Sequence, residues 1–190
     1  RRAIQQAMLT DVLCAAGDVT AVVTVVTADP TVAGLANAYG ADVVHESTPG
    51  GGIDTAVAQG VSRTRADRVL VVMGDLPLAT GADLDELLSV APAHGVALAR
   101  SADGTGTNAM VLTPPTAVAT SFGPGSLARH REETDRRGVR RVERSITGLA
   151  LDIDTPRDLA DLIALGADSH TLRICDALDL RHRLTTEATG

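Results

Sequence analysis

The sequence contains very few aromatic residues and no lysine or tryptophan. Its 190 residues include one Phe, one Tyr and two Cys. Proteins that bind single-stranded nucleic acid stack the bases on aromatic rings, so this composition argues against that function. The formal net charge of −7 argues in the same direction, because a polyanionic partner would be repelled. We therefore expect no nucleic-acid partner.

Paired cysteines and long apolar runs are also lacking. Cys14 and Cys175 lie far apart and form no metal or redox motif, so we expect both to be buried small residues in a reducing compartment. No apolar run reaches the roughly 18 residues of a membrane span, and no secretory signal opens the sequence. These absences predict a cytoplasmic protein without a membrane partner, and they leave the oligomeric state open.

Several familiar catalytic motifs are missing as well. The five histidines have no metal-ligand spacing. The sequence has no Gly-x-Ser-x-Gly elbow, Walker loop or complete dinucleotide fingerprint. Candidate chemistry must therefore be sought in polar residues at the ends of strands and in glycine-rich loops.

Strand-like and helix-like segments alternate along the chain, which predicts an α/β domain with a largely parallel sheet. The length favours one domain, residues 1–184, followed by a disordered tail at 185–190. The connection between 95–100 and 109–113 is too short for a crossover helix, so those two strands should be antiparallel. Strands are predicted at 20–27, 41–45, 68–73, 95–100, 109–113, 139–143 and 149–153, and helices at 2–16, 30–39, 54–66, 81–91, 125–137 and 156–165.

The run RVLVVMGDLP at 68–77 is the most informative stretch. Its apolar residues end at Gly74 and Pro77, which is typical of a strand buried on both faces. Asp75 then lies just beyond the carboxyl end of that strand, where open α/β sheets bind ligands. A carboxylate there can hold a metal ion, although a turn or helix-capping aspartate is the alternative.

A second apolar run, at 148–151, ends in the same way at Asp152 and Asp154. Residues that alternate along a strand point to opposite faces, and Asp154 could instead cap the helix that follows. Three carboxylates in one crevice repel each other unless a cation neutralises them. Together with Asp75 they predict a Mg²⁺ site, at which the ion would also contact substrate phosphate.

Three glycine-rich segments could contact an anionic substrate. The first, 103–108, has hydroxyls and an amide for hydrogen bonds, although hairpin loops often have this composition. The second, 122–126, precedes a helix whose first N–H groups, with Gly125 and Ser126, could bind an anion. Arg129 and His130 follow one turn later and could contact the same ligand, although an ordinary Ser N-cap with solvated charges is the alternative. In the third, Gly51 and Gly52 precede Asp54 and could contact the nucleotide or serve only as a connection.

Four motifs in this order resemble the 2-phospho-L-lactate guanylyltransferase family of coenzyme F-420 biosynthesis, which includes the phosphoenolpyruvate guanylyltransferases. The motifs are GDLPL, DGTGTNAM, FGPGSLARH and LDIDTPRDL, and the resemblance extends from residue 1 to about residue 160. It implies a three-layer, Rossmann-like nucleotidyltransferase fold whose sheet is mostly parallel with an antiparallel portion.

The resemblance also implies an activity and a set of site residues. GMP would pass from GTP to phosphoenolpyruvate or 2-phospho-L-lactate, with release of pyrophosphate. Asp75, Asp152 and Asp154 would bind Mg²⁺, and Thr107, Gly123 and Ser126 would hold the acceptor. No protein nucleophile is required, since positioning and charge neutralisation can supply the catalysis.

The chain departs from the family pattern in two places. Family members have a strand and a lysine-containing basic loop ahead of the helix that begins here near residue 1, so we expect that strand and loop to be missing from the fold. The family usually reads Gly-Leu-Asn-x-Ala where this chain has GIDTA at 52–56. Asp54 therefore offers only acceptors, where the amide offers donors as well.

Two other functions fit the same residues. One is a different nucleotidyltransferase of this fold, acting on molybdopterin or a sugar phosphate. The other is a truncated, non-catalytic chain that binds a nucleotide or a partner. Measuring GTP binding and turnover together discriminates between them.

Overall fold

The computed structural model describes residues 1–19 and 22–180. The expected tail at 185–190 and the first two residues of the strand expected at 20–27 lie outside this described part. The helices are α1 (Arg2–Gly17), α2 (Pro30–Ala38), α3 (Ile53–Arg63), α4 (Gly81–Val90), α5 (Ser126–Arg137), α6 (Thr147–Ala150), α7 (Pro156–Leu165) and α8 (His170–Ala177). The strands are β1 (Thr24–Thr27), β2 (Asp42–His45), β3 (Val69–Val72), β4 (Gly95–Arg100), β5 (Thr107–Thr113) and β6 (Arg141–Arg144).

The described strands form two sheets. Strands β1 and β2 pair in parallel, and the second sheet has the order β3-β5-β4-β6. Strand β5 is antiparallel to both of its neighbours, while β4 and β6 are parallel. The α/β class with parallel and antiparallel strands is thus confirmed, and the antiparallel portion is large because β5 lies between β3 and β4.

The two central strands separate two hydrophobic layers. Alternate residues of β4 and β5 face opposite sides, as the period of a strand requires. Ala97 and Val111 pack in the layer that contains α1 and α4, whereas Leu98 and Met110 pack in the layer that contains Leu127 of α5. The sheet is therefore covered on both faces, which gives the expected three layers.

Burial on both faces was expected for β3 but is found in β4 and β5. The four residues of β3 are half-buried, whereas nearly every residue of β4 and β5 is buried. The physical reason is position: β3 is an edge strand of its sheet, and within the described residues it pairs only with β5.

The strand predicted at 149–153 is wrong. Helix α6 (Thr147–Ala150) occupies the first part, and 151–154 has no regular structure. A Cβ on Gly148 would overlap the Asp83 carboxylate and lie 2.7 Å from Leu78 O, so this backbone packs directly against the start of α4. The Asn108 side-chain amide donates hydrogen bonds to the carbonyls of Leu149 and Ala150. Close packing and side-chain hydrogen bonds replace the strand ladder.

The C-terminal helix α8 was not predicted. Its N-cap is Ser169, whose hydroxyl accepts the Leu172 N–H at 3.2 Å, and its buried side chains pack against α7. Cys175 is buried there as expected, but Cys14 on α1 is exposed, which corrects the expectation that both thiols are buried. Of the helices in the described part, none has the length and apolar character needed to cross a bilayer.

Candidate active site

Asp75 follows β3 and has one carboxylate oxygen without a hydrogen-bond partner. Its Oδ1 atom is buried and has no hydrogen-bond partner among the described residues. Burial, together with the negative charges of Asp152 and Asp154, raises the pKa of Asp75 to about 6. The first helix after Asp75 is capped by Thr80, so Asp75 is not a helix cap. The Oδ1 atom is therefore a buried acceptor without a donor, which fits a bound cation.

The segment that carries Asp152 and Asp154 is attached to Asp75 by the backbone. The Ile153 N–H donates to the Asp75 carbonyl at 3.2 Å. Asn108 on β5 donates from Nδ2 to Asp152 Oδ1 at 3.1 Å. The structure therefore brings the two aspartates close enough to Asp75 for both charges to act on it, as their positions in the sequence suggested.

Asp154 does not cap helix α7. Thr155 is the N-cap, and its hydroxyl accepts the Asp158 N–H while the Asp158 carboxylate accepts the Thr155 N–H. The Asp154 N–H also donates to Asp158 Oδ2, at 3.1 Å. Because Asp158 and Thr155 supply the capping contacts, the Asp154 carboxylate is left for another partner.

A complete metal-ligand set is not assembled in the described part of the chain. No three His, Cys, Asp or Glu side chains there form a group that could hold a metal ion as they stand. The negative charges of Asp152 and Asp154 act on the Asp75 carboxylate, and a divalent cation is the usual means of offsetting such repulsion. The donor set and the unpartnered oxygen of Asp75 fit an oxygen-preferring cation.

The residues expected to hold the acceptor come together from two separate segments. The Thr107 N–H donates to Ser126 Oγ at 2.8 Å, and the Leu127 N–H donates to Thr105 O at 3.1 Å. Thr107 and Ser126 are buried, and Gly123 is exposed beside them. We call the segments 103–107 and 121–126 the acceptor loops.

The turns of the second acceptor loop depend on glycine. Gly123 has a φ of 91° and Gly125 a φ of 71°, values that favour residues without a Cβ. The Ser126 N–H at the helix start already donates to Gly123 O at 3.0 Å. The Ser126 and Leu127 N–H groups both donate to backbone carbonyls of the protein. The anion site expected at this helix start therefore has fewer free N–H donors than the sequence suggested.

Asp103 holds the first acceptor loop in one conformation. Its Oδ1 accepts from the Ser101 hydroxyl at 2.5 Å and from the Thr105 N–H at 2.9 Å, and its Oδ2 accepts from the Thr105 hydroxyl at 2.7 Å. These hydrogen bonds, first among them that from Ser101, lower the pKa of Asp103 to about 2. The sequence placed Asp103 in this loop but did not predict that its carboxylate stabilises the loop conformation.

The side chains of Arg129 and His130 have different partners. Arg129 donates to the carbonyls of Ser121, Phe122 and Pro124 at 2.6 to 3.0 Å, so its guanidinium supports the second acceptor loop. His130 is fully buried behind Thr107. The histidine was visible in the sequence, but its partners were not.

The third glycine-rich segment is joined to the second acceptor loop. Asp54 Oδ1 accepts the Phe122 N–H at 2.9 Å. Gly52, with a φ of 86°, is the N-cap of α3, and a Cβ on Gly51 would lie 3.0 Å from Thr48 O. Asp54 thus has a structural partner that sequence reasoning did not find.

Comparison with known proteins decides the family. The family model described as guanylyl transferase CofC like matches residues 1–186. The chain belongs to the CofC-like guanylyl transferase family. This member of the CofC-like family is therefore a guanylyltransferase.

Curated relatives of this CofC-like chain carry a more specific name. It is 39% identical over 168 residues to the phosphoenolpyruvate guanylyltransferase of Sphaerobacter thermophilus, covering 85% of this chain and 80% of that protein. It is 38% identical over 184 residues to the protein of the same name from Conexibacter woesei, covering 90% of this chain and 82% of that protein.

A solved structure supports the fold of the CofC-like chain. A nucleotidyl transferase from Methanothermobacter superposes with a TM-score of 0.66 at 19% identity, covering 88% of this chain and 81% of that one. At this identity the likeness establishes the nucleotidyltransferase fold alone.

Proposed function

We propose that this protein transfers GMP from GTP to phosphoenolpyruvate, releasing pyrophosphate, as a step in coenzyme F-420 biosynthesis. 2-Phospho-L-lactate, which has the same carbon skeleton, is the second acceptor of the proposal. The observation that carries it is the buried, unpartnered Oδ1 of Asp75 beside Asp152 and Asp154. The names of the curated relatives favour phosphoenolpyruvate as the acceptor.

Asp75, Asp152 and Asp154 would hold the metal ion, which we propose is Mg²⁺. Bound there, Mg²⁺ would neutralise phosphate charge and orient the reacting groups. The backbone bond from Ile153 to Asp75 and the amide of Asn108 hold the carboxylate-bearing segments in place before substrate arrives. Such positioning contributes to catalysis because the groups need not reorganise during the reaction.

The acceptor would lie against the acceptor loops. Thr107, Gly123 and Ser126 come from the two loops that the structure joins, and they offer hydroxyl and backbone groups to a small anion. Arg129 supports the same loop and contributes positive charge. An acceptor phosphate oxygen would then attack the α-phosphorus of GTP, and the bond to pyrophosphate would break.

The nucleotide would lie near the start of α3. Gly51 and Gly52 would contact it through the backbone. Asp54 Oδ1 is occupied by the Phe122 N–H, so any contact from Asp54 to the nucleotide would use its other oxygen.

The proposal places the enzyme in the cytoplasm.

The test is a coupled pyrophosphate assay with GTP, Mg²⁺ and each acceptor in turn. We expect pyrophosphate only when all three are present, and none from the Asp75→Asn variant. Asp85→Asn is the matched control, since Asp85 is exposed on α4. No pyrophosphate with either acceptor, while the protein still binds GTP, would instead support a non-catalytic nucleotide-binding chain. Turnover with only a sugar phosphate or molybdopterin would support a different nucleotidyltransferase.

A further inference from the structure

The imidazole of His130 is enclosed between the two acceptor loops. The residue is 0% exposed. Its Nε2 atom lies 2.9 Å from the Ser121 backbone nitrogen, and its Nδ1 atom lies 3.0 Å from Thr107 Oγ1. The ring also meets the Phe122 ring edge to face, with centroids 5.2 Å apart. One buried ring therefore contacts both segments that form the acceptor loops.

The contact with Ser121 determines which ring nitrogen carries the hydrogen. A backbone N–H can only donate, so Nε2 must be the unprotonated acceptor. In a neutral imidazole the hydrogen then lies on Nδ1, which donates to Thr107 Oγ1. Burial lowers the pKa of His130 to about 4, an effect that Asp54 opposes and Arg129 reinforces, so the ring is neutral near pH 7.

This tautomer determines how the Thr107 hydroxyl is used. Because Thr107 Oγ1 accepts from the imidazole, its own hydrogen must point away from the ring. Among the residues that the structure describes, no acceptor receives that hydrogen, and the Thr107 N–H is already bonded to Ser126. The hydroxyl is thus a buried donor left without a partner, on a residue that the proposed function places against the acceptor.

We propose that His130 is a positioning residue for the acceptor: as the Nδ1–H tautomer it fixes the Thr107 hydroxyl as a donor to an anionic oxygen of the substrate. Its Nε2 atom at the same time anchors the second acceptor loop through Ser121. The inference rests on the proposed function for the identity of the anion, a phosphate-bearing carboxylic acid.

Two substitutions separate the two hydrogen bonds. His130→Gln places an amide near the position of Nε2, where it can accept from Ser121, but leaves no donor near Thr107. His130→Asn does the reverse. We expect His130→Gln to raise the KM for phosphoenolpyruvate about tenfold, the effect of one lost hydrogen bond, with the KM for GTP unchanged. His130→Asn should retain more acceptor affinity than His130→Gln.

A double-mutant cycle tests whether the effect passes through Thr107. Thr107→Val removes the hydroxyl and should raise the KM for phosphoenolpyruvate by a similar factor. Adding His130→Gln to Thr107→Val should then cause little further change, because both act on one donor. His94→Gln is the matched control, since His94 is exposed in the turn before β4. The proposal would be overturned if the double variant raised the KM for phosphoenolpyruvate by the product of the two single effects. It would also be overturned if the KM for GTP rose equally.

A measurement without turnover keeps the inference separate from the proposed function. Long-range ¹H–¹⁵N NMR distinguishes the two imidazole tautomers, and the His130 signals are those lost in His130→Gln. We expect the Nδ1–H tautomer at His130 in the original protein, and a higher Kd for phosphoenolpyruvate in His130→Gln than in the original protein. An Nε2–H tautomer, or an unchanged Kd, would overturn the role of His130 even in an active enzyme. An absence of turnover with the expected tautomer and the weaker Kd would contradict only the proposed function.

Discussion

The Nδ2 atom of Asn108 lies 3.1 Å from Asp152 Oδ1 and is shared with two backbone carbonyls, Leu149 O at 3.0 Å and Ala150 O at 3.1 Å. A single buried amide thus joins strand β5 to helix α6 and to a proposed metal ligand. Three acceptors converge on one amide group, so no acceptor-only side chain can replace it.

We expect Asn108→Asp to destabilise the protein and abolish activity. The new carboxylate would face two carbonyls and Asp152 without a donor, which should lower the free energy of unfolding by at least about 2 kcal/mol. Thermal unfolding and the pyrophosphate assay measure the two effects. The same change at Asn37, which is exposed on α2, is the control. Equal melting temperatures for the two variants would contradict this role of Asn108.

We expect Asp75→Asn to make the protein more stable and inactive. The pKa of Asp75 is raised to about 6 in the folded state, so the folded protein loses stability as the pH rises from about 4 through 6. Removing the carboxylate should recover up to about 3 kcal/mol at pH 8 and very little at pH 4. Melting curves at the two pH values check the sign.

Added Mg²⁺ should raise the melting temperature of the original protein and have a smaller effect on Asp75→Asn. A cation that binds only the folded state stabilises it by mass action. Chelation with EDTA should reverse the shift and stop pyrophosphate release. An identical Mg²⁺ shift in both proteins would place the ion away from Asp75.

Protonation of His130 should weaken the fold in mild acid. Its pKa is about 4 in the folded protein against an ordinary 6.5, so the unfolded chain takes up the proton first as the pH falls. The stabilising contribution is complete above about pH 6.5 and is lost toward pH 4, with a slope of at most about 1.4 kcal/mol per pH unit. Urea unfolding of the original protein and of His130→Gln across this range should show the slope difference, and parallel curves would contradict it.

Asp11 on α1 accepts hydrogen bonds from the start of α8 and so joins these two helices. It is 7% exposed and accepts the N–H groups of His170 at 2.6 Å and Thr171 at 3.0 Å. Asp11→Ala should lower the free energy of unfolding by about 2–3 kcal/mol, because two helix N–H groups lose their acceptor. The folded protein should keep its activity.

The control for Asp11 is Asp168→Ala. Asp168 has an 88% exposed side chain and, among the residues that the structure describes, makes only a surface ion pair with Arg173, so little change in urea unfolding is expected. If both variants unfold at the same urea concentration, the Asp11 contacts contribute nothing measurable.

Much of the fold could be predicted because local patterns were consistent. The bounds of β4 (Gly95–Arg100) and α7 (Pro156–Leu165) match those expected from the sequence. Both have clear local signals, an apolar run for the strand and Thr155-Pro156 for the helix start. The strand prediction for 149–153 failed because its apolar run is typical of a strand, while packing against Asp83 and hydrogen bonds from Asn108 favour a helical turn.

The sequence by itself determined the α/β class, the family, and the polar residues worth testing, because elements follow local periodicity and motifs follow residue order. The tertiary structure alone decided what those residues contact. Asp54 meets Phe122 across 68 residues of chain, and Asn108 meets Asp152 across 44. Such contacts depend on how layers pack, and local periodicity carries no information about that packing. The tautomer of His130 has the same origin, since Ser121 and Thr107 converge on its ring only in the folded protein.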